Sequence, residues 1–159
     1  MKANVLLADT GTQDSNGKLH LLGVGWSMIT VGPNGLTGDS AVAVLLEVPW
    51  DKCNREIEII LELVNEDGKA VTLPTPAGEQ QLRIVHRLVI PSPPGAPNGS
   101  PGHANLLAQF QGGLPLLPGV WYSWRVTVDK EIRDDWQAKF FVRRQQSPPT
   151  FGGPAIGAN

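Results

Sequence analysis

Glycine and proline divide this chain into segments that are too short for most helices. Its 159 residues include 18 glycines and 14 prolines, which interrupt helices and central strands. Turn signals such as Asn16-Gly17 and Asp67-Gly68 separate apolar runs of strand length. This spacing predicts an all-β fold built from many short strands.

Two segments show how such strands would be buried. From Glu56 to Val64, isoleucine and leucine alternate with glutamate, which predicts a strand with one buried and one solvated face. From Ala41 to Val48 the chain is almost continuously apolar, which predicts a strand that is buried on both faces.

Apolar runs and turn signals along the whole chain predict eight or nine strands. They are Asn4–Ala8, Lys18–Val31 with interruptions at Gly23 and Gly25, Ala41–Val48, Glu56–Val64, Lys69–Leu73, Leu82–Ile90, His103–Gln111, Val120–Asp129 and a last strand marked by Trp136 to Val142. Loops or turns are expected at Asp9–Gly17, Pro74–Glu79, Pro91–Gly102 and Gly112–Gly119, and Asp51 is a candidate cap for one helical turn. The pattern favours an antiparallel two-sheet β-sandwich, immunoglobulin-like or jelly-roll-like, with a barrel as the alternative.

Size and charge limit the class of protein. A mass of 17.1 kDa fits one domain, and a formal net charge of -2 provides no basic field for nucleic acid or a membrane surface. The apolar patch Val5 to Ala8 is too short for a signal-peptide core or a membrane span. We therefore expect no nucleic-acid partner, no membrane, and synthesis in the cytoplasm.

The C-terminal segment differs from the rest of the chain. We expect a β-sandwich domain over residues 1–144 and an extended tail over residues 145–159, because the tail is uncharged and rich in proline and glycine. Such a tail loses little entropy when it lies along a neighbouring subunit. Its candidate partner-binding residues are Pro148, Pro149, Phe151, Pro154 and Ile156, and the alternative is that it folds back over its own sandwich.

The chemically reactive side chains form no recognisable catalytic pattern. His20, His86 and His103 lack the close spacing of metal ligands, and the sole cysteine, Cys53, lacks a cysteine partner and a catalytic signature. The glutamates of the Glu56–Val64 strand are expected to be its solvated side. No phosphate-binding loop or nucleophile-elbow motif occurs. We expect no enzyme activity, no metal and no cofactor.

Two aromatic residues in the Val120–Asp129 strand merit separate interpretations. Trp121 falls on the same strand face as Arg125 and Asp129, so it is a candidate surface aromatic that stacks a sugar or anchors a protein interface. The alternative is that it packs under the Pro91–Gly102 loop. Tyr122 follows Pro118-Gly119 in an arrangement similar to a tyrosine corner, in which the phenol bonds local backbone.

Several segments, in order, are similar to one protein family. They are Asn4-Val-Leu-Leu-Ala-Asp9, Asn16-Gly-Lys-Leu-His-Leu-Leu-Gly-Val-Gly-Trp26, Val48-Pro-Trp-Asp-Lys-Cys-Asn54, Leu61-Glu-Leu-Val-Asn-Glu-Asp-Gly68 and Leu117-Pro-Gly-Val-Trp-Tyr-Ser-Trp-Arg-Val126. Together they resemble an uncharacterised domain-of-unknown-function family of small β proteins from bacteria, notably actinobacteria, and their phages, over roughly residues 2–144. The resemblance implies a bacterial or phage source and supplies no catalytic residues.

These observations lead to two functional expectations from different classes. The first is a non-catalytic interaction protein of a phage particle, a head decoration or minor capsid or tail component that docks on a major capsid protein, on another virion protein or on itself. It would be made in the host cytoplasm and found in the virion. The second is a ligand- or carbohydrate-binding module of the bacterial cytoplasm that uses Trp121 and the Pro91–Gly102 loop.

Overall fold

The computed structural model describes residues 1–145 and forms them into twelve β-strands. The strands are β1 Lys2–Ala8, β2 Thr10–Gln13, β3 Leu19–Leu22, β4 Met28–Val31, β5 Ser40–Val48, β6 Glu56–Asn65, β7 Thr72–Thr75, β8 Gly78–Gln81, β9 Arg83–Val89, β10 Gly102–Phe110, β11 Trp121–Val128 and β12 Glu131–Arg144. Between β5 and β6 lies one 3-10 turn, Trp50–Lys52. The predicted Phe151, Ile156, Pro148, Pro149 and Pro154 lie outside the described residues.

Two main sheets form the sandwich, and the predicted all-β class is confirmed. One sheet has three strands in the order β1-β5-β10, and the other has five in the order β4-β12-β11-β6-β9. The β2-β3 and β7-β8 hairpins are separate two-stranded sheets. One pair departs from the expected antiparallel arrangement, because β4 runs parallel to β12. These two strands are distant in sequence, so no hairpin turn dictates their relative direction.

A single apolar core lies between the two sheets. Alternate side chains of β5 and β10 meet those of β6, β11 and β12, as the period of two along a strand requires. The ring of Phe110 from the three-stranded sheet stacks on Trp124 from the five-stranded sheet, with centroids 4.9 Å apart. Trp124 and Trp136 are 2% and 1% exposed, so the prediction that both belong to the core is confirmed.

The three-stranded sheet is covered on its second face by the β2–β3 hairpin. Gly11 in β2 approaches the Leu107 side chain of β10, and the Gln13 amide donates a hydrogen bond to the Asn105 carbonyl at 3.0 Å. Beneath this layer Ala41 and Ala43 are fully buried. The prediction that the Ala41–Val48 strand is buried on both faces is confirmed at these two positions.

The predicted Lys18–Val31 strand is wrong as a single element. The structure divides it into β3 and β4, which belong to different sheets. Gly23 and Gly25 have φ values of +67° and +96°. These positive φ values interrupt the extended backbone between β3 and β4. At Gly23 a Cβ atom would lie 2.0 Å from the Asp9 carboxylate, so this position has no room for a larger residue.

Three further expectations differ from the structure. The predicted Asp9–Gly17 loop contains β2, and the predicted Pro74–Glu79 loop contains the end of β7 and the start of β8. β2 and β8, with the sequences Thr-Gly-Thr-Gln and Gly-Glu-Gln-Gln, have no apolar alternation, and each is a strand through its pairing in a hairpin. Asp51 does not cap the 3-10 turn, which begins after Pro49 without a side-chain cap.

Candidate functional site

The outward face of the five-stranded sheet has the strongest features of an interaction surface. Its side chains are fixed by strand register, since Trp121 lies beside Phe141, and Phe141 lies beside Met28. Further along the same face Arg125 lies between Gln137 and Glu62. We call this surface, formed by outward side chains of β4, β12, β11, β6 and β9, the outer face.

An aromatic row occupies one end of the outer face. The rings of Trp121 and Phe141 lie with centroids 5.3 Å apart and planes tilted by 53°. Trp121 is 48% exposed and Met28 is 53% exposed. An aromatic side chain that is held by a neighbour and still half exposed provides contact area at a low cost in side-chain entropy.

Exposed apolar side chains extend along the rest of the outer face. Five large apolar residues on it are exposed, namely Met28, Val85, Val89, Trp121 and Ile132. The other exposed large apolar side chains of residues 1–145 are Leu22, Val24, Trp50 and Leu117. A solvated sheet face is normally polar, so this concentration of apolar side chains makes the outer face a candidate binding surface.

Ion pairs between neighbouring strands separate these apolar side chains. The Arg125 guanidinium donates to the Glu62 carboxylate through Nε at 3.2 Å and Nη2 at 2.9 Å, and both side chains are partly buried. The Arg87 guanidinium donates to Glu58 at 2.9 and 2.7 Å, and these hydrogen bonds raise the pKa of Arg87. Glu58 and Glu62 lie on the predicted solvated side, but each has a cationic partner on the next strand.

A depression of about 440 Å³ lies beside Trp121. The turn after β6, including Asn65 and Gly68, forms one side. The polar lining comes from Ser123, Gln137 and Lys139, together with the paired Arg125. An aromatic ring beside amide, hydroxyl and ammonium groups is a combination that binds polar cyclic ligands.

Trp121 does not pack under the Pro91–Gly102 loop, which was the alternative expectation for this residue. Trp121 lies near the end of β6 at Asn65, whereas the Pro91–Gly102 loop follows β9, whose Val89 pairs with Glu56 at the opposite end of β6. The loop is therefore remote from Trp121, which packs on Phe141 instead. The expectation that a ligand would use Trp121 and this loop together is wrong for the same reason.

The groups considered for catalysis are dispersed. Cys53 is buried, and its Sγ lies 3.5 Å from the Pro49 carbonyl oxygen. His20 lies 3.9 Å from Asp14, and His86 lies on β9. Among residues 1–145, no cluster of three or more His, Cys, Asp or Glu side chains is placed to hold a metal ion. In the same range, no helix has the length and apolarity needed to cross a membrane.

A family model described as a family of unknown function, DUF6941, matches residues 4–141. The chain belongs to this family. The match confirms the resemblance to an uncharacterised family, and it spans β1 to Phe141, so it includes the aromatic row. It does not establish a bacterial or phage source, which stays a prediction. No curated protein matches the chain.

Sequence reasoning found Trp121 but missed its companions on the outer face. Met28 and Val85 fall in predicted strands that the sequence does not assign to one surface, and Ile132 falls outside the predicted strands. Their proximity follows from the register of five strands, one of which pairs in parallel. One signal in the sequence could have placed β9 beside β6. Arg83 and Arg87 are four residues apart, as are Glu58 and Glu62, which predicts that the arginines pair with the glutamates across two neighbouring strands.

Proposed function

We propose that this DUF6941 protein is a non-catalytic interaction domain that docks on neighbouring protein subunits, as an accessory protein of a phage particle. The observation that supports it is the concentration of half-exposed apolar side chains on the outer face. Trp121 and Met28 are of the residue types that are enriched in protein interfaces. The resemblance to bacterial and phage proteins motivates the virion setting.

The charges of the outer face are compatible with burial in an interface. An unpaired charge is costly to remove from water, and a charge with a hydrogen-bonded partner costs less. Glu62 and Glu58 already have Arg125 and Arg87 as partners. Docking on this face therefore buries these two carboxylates with their charges already compensated, whereas Lys139 and Arg83, which form no ion pair within residues 1–145, take their compensation from the partner. The apolar side chains supply the driving force.

The proposed docking has two parts, the outer face and the C-terminal segment. In the segment Phe151 and Ile156 are the proposed apolar anchors, and Pro148, Pro149 and Pro154 limit the entropy that is lost on binding. The proposed partner is the major capsid protein, another virion protein or a second copy of the chain. The proposed location is the virion, after synthesis in the host cytoplasm.

The test is incorporation into particles, or affinity for the major shell protein, measured for two surface variants. Trp121→Arg alters the outer face, and Val24→Arg is its matched control because both residues are 48% exposed. We expect Trp121→Arg to weaken binding by about tenfold or more and Val24→Arg to bind as the unaltered protein does. Deleting residues 145–159 tests the C-terminal part separately. Unchanged incorporation of both the Trp121 variant and the deletion would overturn the proposal.

The depression beside Trp121 favours a second candidate, a carbohydrate-binding module of the bacterial cytoplasm. A sugar ring stacks on an exposed indole, and its hydroxyl groups bond to side chains such as Gln137 and Lys139. A glycan array and a thermal-shift screen test this function. Binding that Trp121→Ala abolishes and Val24→Ala retains supports the second candidate, whereas a Trp121→Ala protein that binds as the unaltered protein does excludes this site.

A further inference from the structure

A second apolar surface adjoins the aromatic-row end of the outer face, where the described chain ends. It is a groove of about 740 Å³ between the β4–β5 turn, Gly32 to Gly35, and the segment Pro115 to Pro118. Val31 and Leu116 are its buried apolar lining, and Leu117, 69% exposed, lies at its surface. Proline and leucine make up half of the lining, so the groove suits an apolar chain segment.

Hydrogen bonds hold both walls of this groove in place. The Thr37 and Leu114 backbones are joined by an N–H to carbonyl bond of 3.0 Å, and the Leu114 N–H donates to the Thr37 hydroxyl at 2.9 Å. These bonds join the two walls to each other. Within the Pro115 to Pro118 wall the Leu117 N–H donates to the Tyr122 hydroxyl at 3.1 Å. Because the walls of the groove are already ordered, binding a segment there costs no entropy for ordering them.

The described chain ends at this groove. Arg144 and Gln145 are part of its lining, and the Gln145 N–H donates to the Val31 carbonyl at 3.1 Å. Fourteen residues follow in the sequence, Gln146 to Asn159. They include the two apolar side chains Phe151 and Ile156, and no charged side chain, which matches an apolar groove lined by proline and leucine.

We propose that the groove of one copy binds the C-terminal segment of a second copy, with Phe151 as the inserted side chain. This rests on the proposed function, because it names the partner of the C-terminal anchors. Reciprocal exchange of two identical segments gives a closed, two-fold symmetric dimer. Each copy then supplies one groove and one segment.

The stiffness of the sequence after Gln145 favours a second copy over the chain's own groove. Pro148 and Pro149 fix φ near -65°, and a residue before proline is restricted to extended backbone. In polyproline geometry, at about 3.1 Å per residue, the six steps from Gln145 to Phe151 would span about 19 Å. For Phe151 to enter the groove of its own chain, the chain direction would have to reverse immediately after Gln145. For Phe151 to enter the groove of a second copy, no such reversal is needed.

The test uses the full-length protein and measures its mass by sedimentation over a range of concentrations. Phe151→Ser removes the inserted side chain, and Leu117→Arg alters the groove. Leu22→Arg is the matched control, because Leu22 and Leu117 are both 69% exposed. We expect a concentration-dependent dimer whose dissociation constant rises by about tenfold or more in the first two variants and is unchanged in the third.

Mixing the two variants distinguishes exchange between copies from binding within one chain. The Phe151→Ser copy retains a functional groove, and the Leu117→Arg copy retains a functional segment. Their equimolar mixture therefore keeps one of the two exchanged contacts and forms more dimer than either variant alone. Two results would overturn the inference. One is an unaltered protein that is monomeric at all concentrations, and the other is a dimer that persists in both variants.

Failure of this inference and failure of the proposed function are distinguishable. If the groove and segment variants have no effect and Trp121→Arg still weakens docking, the outer face remains the interaction surface and only the role of the segment is lost. If Trp121→Arg has no effect and the groove variants abolish the dimer, the exchange stands and the outer-face proposal fails.

Discussion

The phenol oxygen of Tyr122 accepts a hydrogen bond from the backbone N–H of Leu117 at 3.1 Å. The donor and acceptor are five residues apart in the sequence, and Pro118-Gly119 forms the corner between them. Tyr122 is 6% exposed, and its ring stacks on Phe140 with centroids 5.9 Å apart. The hydrogen bond thus fixes the Pro115–Pro118 segment, one wall of the groove, to the core.

Tyr122→Phe is expected to lower the free energy of unfolding by about 1 to 2 kcal/mol, because the substitution keeps the ring and its stacking but leaves the partly buried Leu117 N–H without its acceptor. Urea unfolding of both proteins measures the change. Trp121→Phe, on the exposed neighbouring residue, is the control and is expected to change the stability by less than about 0.5 kcal/mol. Equal stability of Tyr122→Phe and the unaltered protein would show that the corner contributes nothing.

Glu62→Gln is expected to cost about 1 to 2 kcal/mol of stability, because it leaves a partly desolvated cation without its charge partner. The Arg125 guanidinium is partly buried and donates two hydrogen bonds to the Glu62 carboxylate. Urea unfolding measures the loss. Glu66→Gln, on an exposed turn residue of the same sequence region, is the control, with an expected change below about 0.5 kcal/mol.

A double-mutant cycle separates the pair from the individual side chains. If the ion pair is what stabilises the fold, the Glu62→Gln and Arg125→Gln changes together cost less than the sum of the two measured singly. Strict additivity would mean that the two side chains act independently, in spite of the 2.9 Å contact.

The strands that were predicted best from the sequence are those in which apolar residues face the core and alternate with polar residues. In β6 and β11 the alternation of apolar and polar residues identifies the inward side chains, and Ile57, Leu63, Trp124 and Val126 are all buried. The sequence did not predict β2, because Thr10–Gln13 has no apolar alternation. This segment is a strand because it pairs with β3, and its Gly11 contacts Leu107 of β10.

The candidate site was less predictable than the fold, for a geometric reason. Trp121 was recognisable from the polar side chains that alternate with it in β11. Phe141 joins it through the antiparallel pairing of β11 with β12. Met28 joins only through the parallel pairing of β12 with β4, strands that are far apart in the sequence. Periodicity within a strand determines which face a residue occupies, whereas the neighbours on that face depend on sheet order and register.

Lys130→Gly is expected to stabilise the protein by about 1 kcal/mol, because Asp129 and Lys130 join β11 to β12 in a geometry in which glycine is favoured at the second position. The φ values of this two-residue turn are +48° and +67°. Asp129 must be kept, because its carboxylate accepts the Glu58 N–H at 3.0 Å and binds Arg55 at 2.7 Å. Thermal unfolding measures the gain. Lys130→Ala removes the same side chain but keeps the strained φ, so it is expected to give no increase in melting temperature.

Gly113→Ala is expected to destabilise the fold far more than Gly112→Ala. Both glycines have φ of +78°, so both substitutions carry the same backbone penalty of about 1 kcal/mol. At Gly112 a Cβ atom meets nothing within 4 Å, whereas at Gly113 it would lie 1.9 Å from the Thr37 carbonyl oxygen. Since Thr37 is bonded to Leu114, the clash forces apart the β4–β5 connection and the segment that forms the groove wall. We expect a total loss of about 3 kcal/mol or more for Gly113→Ala, measured by urea unfolding, and equal midpoints for the two variants would contradict this close approach.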